Sequence, residues 1–138
     1  MKPLPWQLTM DCRDPHAQAD FWAAALGYEV EDNSALIEQL LAAGVVTEQD
    51  TTWHSGVRAW RTLEAIRGDG RRLLFQAVPE PKTVKNRLHL DLNVGGDRLA
   101  AEVARLTELG AAQQREVDEP GSHHMVMTDP EGNEFCVQ

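Results

Sequence analysis

The feature of this sequence that most constrains its fold is an internal repeat of strand and helix signals. An alternating segment at 7–11 is followed by a helical segment that ends at Leu26-Gly27, and the same order recurs from 89–93 to Leu109-Gly110. The two stretches are nearly equal in length. A recurring unit of this kind predicts one supersecondary motif that is used twice.

The two repeats also close alike, because each ends in a strand-like segment, at 74–78 in the first and at 134–138 in the second. The first repeat is longer, and the excess roughly equals segment 33–54, which carries a helical pattern of its own. We therefore predict an α+β fold of two βαβββ repeats, with 33–54 inserted as a helical segment in the first.

The repeats cover almost the whole chain, which has 138 residues and is the length of one ordinary domain. The first repeat spans about residues 5–80 and the second about 86–138. We predict that both belong to a single domain of residues 1–138.

Helix boundaries are marked by capping residues. Asp14-Pro15 suits the N-terminus of a helix that stops at Gly27, and Trp22 inside it is expected in the core. A second helix is predicted at 34–43, before Gly44, and a third begins near Asp97 and stops before Gly110.

Alternating side chains divide the predicted strands into an apolar and a polar face. In segment 88–94 the polar face consists of His89, Asp91 and Asn93, and segment 6–12 alternates in the same way, with Cys12 on its apolar face. We predict a curved mixed sheet whose apolar side is covered by helices on the outer face. The polar faces then line a central cup suited to a small molecule.

Composition excludes several classes of protein. The formal charge of −9 argues against nucleic-acid binding, and the basic clusters at 67–72 and 82–87 fall at predicted turns as solvated loop charge. No apolar run is long enough to span a membrane, and no signal peptide is visible. We therefore expect a cytoplasmic protein whose Cys12 and Cys136 are reduced thiols rather than a disulfide.

Three parts of the chain resemble a known family. They are the opening with its Asp-Pro, Phe-Trp and Leu-Gly pairs at 14–27, the middle at 74–92, and the Asp-Pro-Glu-Gly-Asn-Glu-Phe-Cys ending at 129–136. Together they resemble the glyoxalase/bleomycin resistance/extradiol dioxygenase, or vicinal oxygen chelate, superfamily, and within it the glyoxalase-like proteins.

The resemblance implies a site at four positions, one in the first and one in the last strand of each half. They correspond here to Gln7 and His89, then to Gln76 and Cys136. Metal-dependent members commonly carry His or Gln at the first pair and Glu at the second, so His89 fits and Gln7 is tolerated. Gln76 and Cys136 depart from the pattern.

This departure bears on the cofactor, which the sequence does not identify. Two neutral amides add no ligand charge for a divalent metal, and a Cys136 thiolate would favour zinc over harder metals. Glu134 lies two residues away on the same predicted face and could supply the carboxylate instead. We expect no tightly bound metal, with a divalent metal held by His89 and Glu134 as the alternative.

Within this site, Glu134 is the candidate general base, because partial burial in a cup would raise its pKa toward neutrality. Its alternative is a solvent-facing carboxylate beside a turn. His89 is the candidate ligand or electrophile. Asp91 is predicted to bind the ligand through a hydroxyl or to orient the imidazole of His89, and the alternative is a salt bridge or a rim charge. Cys136 is expected to be an inert lining residue, and the alternative is a nucleophile paired with His89.

The inserted segment ends in an aromatic stretch, where His54 lies next to Trp53 and shortly before Trp60. A loop of this composition could cap the predicted cup. For His123 and His124, neighbours in one strand that cannot both face one site, a surface position is expected.

Three functions follow from these residues and from the resemblance. The first is a lyase or isomerase acting on a small oxygenated substrate, although classical glyoxalase I activity is not expected. The second is a non-catalytic protein that sequesters a small organic ligand, in the manner of bleomycin resistance proteins. The third is a regulatory module with an empty cup. The resemblance also implies a homodimer, and neither nucleic acid nor membrane is expected as a partner.

Overall fold

The structure is a computed structural model that describes residues 1–138 and divides into two units, Met1–Pro81 and Lys82–Gln138. The first unit contains β1 (Leu8–Cys12), α1 (Pro15–Leu26), β2 (Glu29–Val30), α2 (Ser34–Ala42), a 3₁₀ turn (Glu48–Asp50), β3 (Thr51–His54), β4 (Val57–Trp60), β5 (Leu63–Gly68) and β6 (Arg71–Ala77). The second unit contains β7 (Asp91–Leu92), α3 (Leu99–Glu108), β8 (Ala112–Glu119), β9 (Ser122–Thr128) and β10 (Glu134–Val137).

The two units have the same topology once the insertion is set aside. The four-stranded sheet of the first unit has the order β1-β6-β5-β2, and that of the second has the order β7-β10-β9-β8. In each sheet the first strand of the repeat pairs in parallel with the last, while the other pairs are antiparallel. The predicted α+β fold with two βαβββ repeats and mixed sheets is confirmed.

Helix α1 forms where its capping residues predict it. The carboxylate of Asp14 accepts hydrogen bonds from the backbone N–H groups of His16 and Ala17 at 3.1 and 3.0 Å. At the other end Gly27 has a φ of 69°, a left-handed conformation that glycine adopts without steric cost. These two caps satisfy backbone groups that a helix otherwise leaves without partners.

The core of the first unit lies between α1 and the sheet. Helix α1 packs on β5 and β6, and Trp22 on the helix is 1% exposed while Phe75 on β6 is fully buried. The ring of Phe21 meets Trp22 edge to face at 5.2 Å. Cys12 is also buried, so the predicted core positions of Cys12 and Trp22 are confirmed.

The second unit is built in the same manner around α3. One stripe of this helix, Leu99, Val103 and Leu106, is buried, and the helix packs on β8, β9 and β10. Phe135 and Val137 on β10 are buried as well. Alternation along β10 thus separates a core face from the face that carries Glu134 and Cys136.

The insertion differs from the prediction. It is not only helical, because α2 is followed by a hairpin of β3 and β4 that forms a separate two-stranded sheet. Two separate strands, β4 and β5, follow one another here rather than one continuous strand. The chain turns at Arg61, whose backbone N–H donates to Asp50 and whose side chain donates to the carbonyl of Gln49 at 2.7 Å.

Two further strands differ from the prediction. Strand β8 was not predicted, because all but one of its residues are exposed and its sequence has no apolar alternation. Strand β7 is shorter than the predicted segment 88–94, and Leu88 is 81% exposed rather than on a buried face. None of the helices is both long and apolar enough to cross a lipid bilayer.

Replacing Phe75 tests the assignment of the first core. Phe75→Ala is expected to lower the free energy of unfolding by about 3–5 kcal/mol, because it removes a fully buried ring and leaves a cavity. Urea unfolding followed by circular dichroism measures this loss. Trp6→Ala serves as the control, since Trp6 is 86% exposed and its removal should change stability little. Equal effects of the two changes would contradict the core assignment.

Candidate functional site

Three of the predicted site residues come together in the second unit. The parallel pairing of β7 with β10 sets Asp91 opposite Cys136, and His89 precedes β7 by two residues. The ligand atoms of His89, Asp91 and Cys136 all lie within 4.8 Å of one another. We call these three residues the His–Asp–Cys cluster.

Within the cluster, Asp91 orients the imidazole of His89. Nδ1 of His89 donates to Oδ1 of Asp91 at 3.0 Å, since an ionised carboxylate can only accept. The proton of the neutral imidazole is therefore on Nδ1, and Nε2 carries the lone pair. His89 and Asp91 side chains are 38% and 45% exposed, so a small molecule can reach them.

Cys136 is the partly buried member of the cluster. Burial raises the pKa of its thiol, and the neighbouring Asp91 carboxylate raises it further. The side chain is accordingly a thiol rather than a thiolate at neutral pH, which removes support from the alternative of a nucleophilic cysteine.

Glu134 does not belong to this cluster, because both of its oxygens bind other groups. Oε1 accepts from the ammonium of Lys82 at 3.0 Å, and Oε2 accepts from the backbone N–H of Asn86 at 2.9 Å. Burial alone would raise the pKa of Glu134, but these two hydrogen bonds outweigh it and lower the pKa to about 2. The predicted rise toward neutrality is wrong, and such a carboxylate is a poor general base.

The conspicuous turn at 129–134 has a structural role. Asp129 is 3% exposed, and its Oδ1 accepts from the backbone N–H groups of Glu131 and Asn133 at 2.9 and 3.0 Å. The side chain of Asn133 in turn accepts a hydrogen bond from Asn86 at 2.9 Å. The turn thus fixes the start of β10 and the segment that approaches Glu134.

Sequence reasoning missed Lys82 and Asn86 as partners of Glu134. Both lie in the basic stretch 82–87, which was interpreted as solvated loop charge. The signal that could have found the ion pair is the occurrence of a lysine just before the second repeat, Lys82, and a glutamate at the start of its last strand, Glu134. Nothing local to Glu134 identifies them.

The two predicted site residues of the first unit do not lie side by side. In the register of β1 with β6, Gln76 is opposite Asp11, whereas Gln7 precedes β1 and accepts a hydrogen bond from Arg72 at 2.7 Å. Gln7 precedes Asp11, the residue opposite Gln76, by four residues, which in a strand correspond to about 13 Å along the chain. Gln7 and Gln76 stay predicted ligand contacts.

Strand register also corrects the comparison of the two halves. When Phe75 is matched to Phe135, Gln76 corresponds to Cys136, and the residues opposite them, Asp11 and Asp91, correspond as well. The residue of the first half that matches His89 is then two positions before Asp11. That residue is Thr9, so the equivalence of Gln7 with His89 is wrong by two residues.

The cluster fits a divalent metal by the chemistry of its donors. Imidazole, carboxylate and sulfur are the three ligand types of zinc, and the ligand atoms of these three side chains lie within 4.8 Å of one another. Glu134, by contrast, has both oxygens engaged by Lys82 and Asn86. The structure brings His89, Asp91 and Cys136 together as candidate ligands, and the pair of His89 and Glu134 stays a prediction.

Comparison with known proteins identifies the family. Residues 7–138 match the family described as the glyoxalase-like domain. No curated protein matches the sequence.

Solved structures share the fold at low sequence identity. A hypothetical protein from S. aureus has 15% identity and a TM-score of 0.65, covering 99% of this chain and 94% of its own. The fosfomycin resistance protein FosX from Mesorhizobium loti has 12% identity and a TM-score of 0.65, with 100% and 92% covered. A glyoxalase/bleomycin resistance protein/dioxygenase family enzyme from Burkholderia phytofirmans has 14% identity and a TM-score of 0.63, with 95% and 94% covered.

The low pKa of Glu134 predicts an acid-dependent contribution to stability. Because the pKa falls from its ordinary 4.5 to about 2 on folding, the stabilisation is present above pH 4.5 and is lost as the pH falls through about 2. Glu134→Gln should therefore lower the free energy of unfolding by about 1–3 kcal/mol at neutral pH and by much less near pH 2.

Urea unfolding at several pH values measures this difference, with Glu108→Gln as the control. Glu108 is an exposed residue at the end of α3, and its replacement should have little effect at any pH. A Glu134→Gln deficit that stayed constant down to the lowest pH would contradict the assigned ion pair.

Proposed function

The chain belongs to the glyoxalase-like family, and from this premise we propose that its second unit binds a small oxygenated molecule and acts on it as a lyase or isomerase. The observation that carries the proposal is the His–Asp–Cys cluster, in which an accessible imidazole is held by a carboxylate. The fold alone does not select an activity, so the proposal depends on these residues.

His89 supplies the chemistry in this proposal. Lyases and isomerases move a proton, and imidazole is the side chain best suited to proton transfer at neutral pH. With Nδ1 hydrogen-bonded to Asp91, Nε2 can accept a proton or a hydrogen bond from the substrate. Asp91 also stabilises the imidazolium that proton uptake would form. The proposal gives Glu134 no proton-transfer role, since Lys82 and Asn86 lower its pKa to about 2.

A metal would be held by the same three residues. When bound, a divalent ion such as zinc would polarise an oxygen of the substrate. The roles of His89, Asp91 and Cys136 in positioning the substrate apply with or without it. Without a metal, Cys136 lines the site as a small, partly buried side chain.

The structural neighbours support a small oxygenated ligand. One FosX structure from Listeria monocytogenes, with 11% identity and a TM-score of 0.65, is complexed with Mn(II) and 1S,2S-dihydroxypropylphosphonic acid. That ligand is small and rich in oxygen. The likeness concerns the fold, so the substrate class proposed for this chain rests on its own cluster.

The alternative function is sequestration of a small organic ligand without turnover. The observation that favours it is the low pKa of Glu134. A carboxylate with a pKa of about 2 accepts a proton poorly, so the site lacks the general base that the sequence predicted. The formal charge of −9 would suit a cationic ligand. In both cases we propose a homodimer as the working form, which the family resemblance implies.

Native mass spectrometry of protein purified without chelator tests the proposal, since it detects metal, retained ligand and oligomeric state together. We expect a bound metal or a co-purified small molecule in the native protein and its loss in His89→Ala. His123→Ala is the matched control, because His123 is a comparably exposed histidine of the same unit and also pairs with a carboxylate, that of Glu116. Equal binding by the His89→Ala variant and the native protein would reject the site.

Replacing Asp91 separates catalysis from simple binding. Asp91→Asn removes the charge that supports His89 and should weaken metal or ligand affinity about tenfold or more, as loss of such supporting carboxylates generally does. Isothermal titration calorimetry with zinc chloride measures the affinity for the metal. The rate at which any identified substrate is converted measures catalysis. A fall in turnover that persists at saturating ligand favours the enzyme. A ligand that is bound but never converted by the native protein favours sequestration.

A further inference from the structure

The first unit contains a cavity that lies outside the site proposed above. Its volume is about 150 Å³, and its lining comes from α1, from β2 and the residues after it, from the hairpin β3–β4 and from β5. A closed cavity of this volume holds a molecule about the size of benzene. The space is therefore sufficient for a small organic ligand.

This cavity lies on the helix side of the first sheet. In the register of β5 with β6, Glu64 is opposite Phe75, and residues opposite each other in an antiparallel pair point to the same face. Phe75 is buried in the core between the sheet and α1, whereas the next residue, Gln76, points to the other face. Since Gln76 is one of the residues predicted to line the cup, the cavity is a separate site.

Glu64 is the most deeply buried charged residue of the cavity lining. Its side chain is 5% exposed, and Oε1 accepts a hydrogen bond from the backbone N–H of Ala65 at 3.0 Å. Oε2 lies 3.2 Å from Nδ1 of His16, but the two atoms form no hydrogen bond, and Nδ1 is buried without a partner. A carboxylate can accept several hydrogen bonds, and burying one with few donors is unfavourable. A ligand in the cavity could supply the further donor.

The other charged side chains of the lining favour a cationic ligand. Asp20 and Asp32 also line the cavity, and neither carboxylate has a lysine or arginine partner. Glu31 and Arg58 line it as well, but both are held in ion pairs with residues outside the lining. Carboxylates are therefore in excess, and such a cavity attracts cations and repels anions.

The cavity is accessible on the side where the hairpin meets α1. Nε2 of His54 lies 2.9 Å from Oδ1 of Asp20, and both residues line the cavity. Their side chains are 21% and 52% exposed, in contrast to the buried Glu64. A small cation can therefore enter past these two residues while the fold stays intact.

The cation that fits is organic rather than a metal ion. The one group of three side chains close enough to share a metal ion is the His–Asp–Cys cluster, and none of its members lines this cavity. Val30, Val57 and Ala59 give the cavity an apolar wall beside its carboxylates. A hydrocarbon chain gains stability by packing on such a wall, whereas a hydrated metal ion does not.

We propose that the first unit binds a small alkylammonium ion in this cavity, with the ammonium group on Glu64 and the hydrocarbon chain against Val57 and Ala59. An ammonium group carries three N–H donors, one of which would bind Oε2 of Glu64. The positive charge would compensate the excess of carboxylates in the lining. This site concerns the first unit and does not depend on the His–Asp–Cys cluster.

The experiment titrates the nitrogen-15-labelled native protein with butylammonium chloride at neutral pH and follows the backbone amide signals by NMR. The comparison probes are 1-butanol, a neutral molecule of the same chain length, and sodium butyrate, an anion. We expect butylammonium to bind about tenfold or more tightly than 1-butanol, because it adds a charge-assisted hydrogen bond, and butyrate not to bind. Equal affinities for butylammonium and 1-butanol overturn the proposal.

The amide signals that shift also identify the site. We expect the shifts at the hairpin residues 54–59 and at Glu64, which line the cavity or lie within its hairpin wall. Butylammonium shifts confined to His89, Asp91 and Cys136 would place the cation in the second unit and overturn the proposal. A failure of the His–Asp–Cys cluster to bind any ligand would leave this result unaffected.

Glu64→Gln tests the residue that receives the ammonium group. It keeps the size of the side chain and removes its charge, so butylammonium binding should weaken about tenfold or more while 1-butanol binding stays the same. Glu80→Gln is the matched control, because Glu80 is an exposed carboxylate of the same unit that does not line the cavity. Unchanged butylammonium affinity in Glu64→Gln contradicts the proposed contact.

A measurement on the native protein keeps the proposal testable if Glu64→Gln fails to fold. Nuclear Overhauser effects between the butyl protons and the methyl groups of the protein report which side chains the ligand touches. We expect such effects at Val30, Val57 and Ala59, which form the apolar wall. Their absence at saturating butylammonium rejects the site.

Discussion

The structure depends on the parallel pairing of the first and last strand in each repeat, β1 with β6 and β7 with β10. Parallel neighbours cannot be joined by a tight hairpin, so the chain between them must leave the sheet and return. The helix and two antiparallel strands of each repeat make that connection. The same pairing sets Asp91 opposite Cys136, while alternation along the chain puts His89 on the same face as Asp91.

Features that depend on nearby residues could be predicted from the sequence. The caps at Asp14 and Gly27 bound α1, and the alternation around His89 and Asp91 places both side chains on one exposed face. Features that depend on distant residues could not. Strand β8 is an exposed edge with no apolar pattern, and the break between β4 and β5 is made by Arg61 bonding to the backbone of Gln49 and Asp50.

The pKa of Glu134 also depends on residues that are distant in sequence, and the sequence therefore did not predict it. Burial of a carboxylate favours its neutral form, which is why Glu134 was expected to titrate near neutrality. Its actual state is decided by Lys82 and Asn86, 52 and 48 residues away in sequence, and the pKa moves in the opposite direction. The sign of a pKa shift is thus a property of the assembled site, and only the folded chain reveals which partners Glu134 has.

The two units each hold a partly or fully buried carboxylate with a cationic partner, and the identity of the partner decides what the pair can do. The ammonium of Lys82 lies 3.0 Å from Oε1 of Glu134, and this contact fixes the segment before β7. His16 can lose its charge within a few pH units of neutrality, so its contact with Glu64 is conditional.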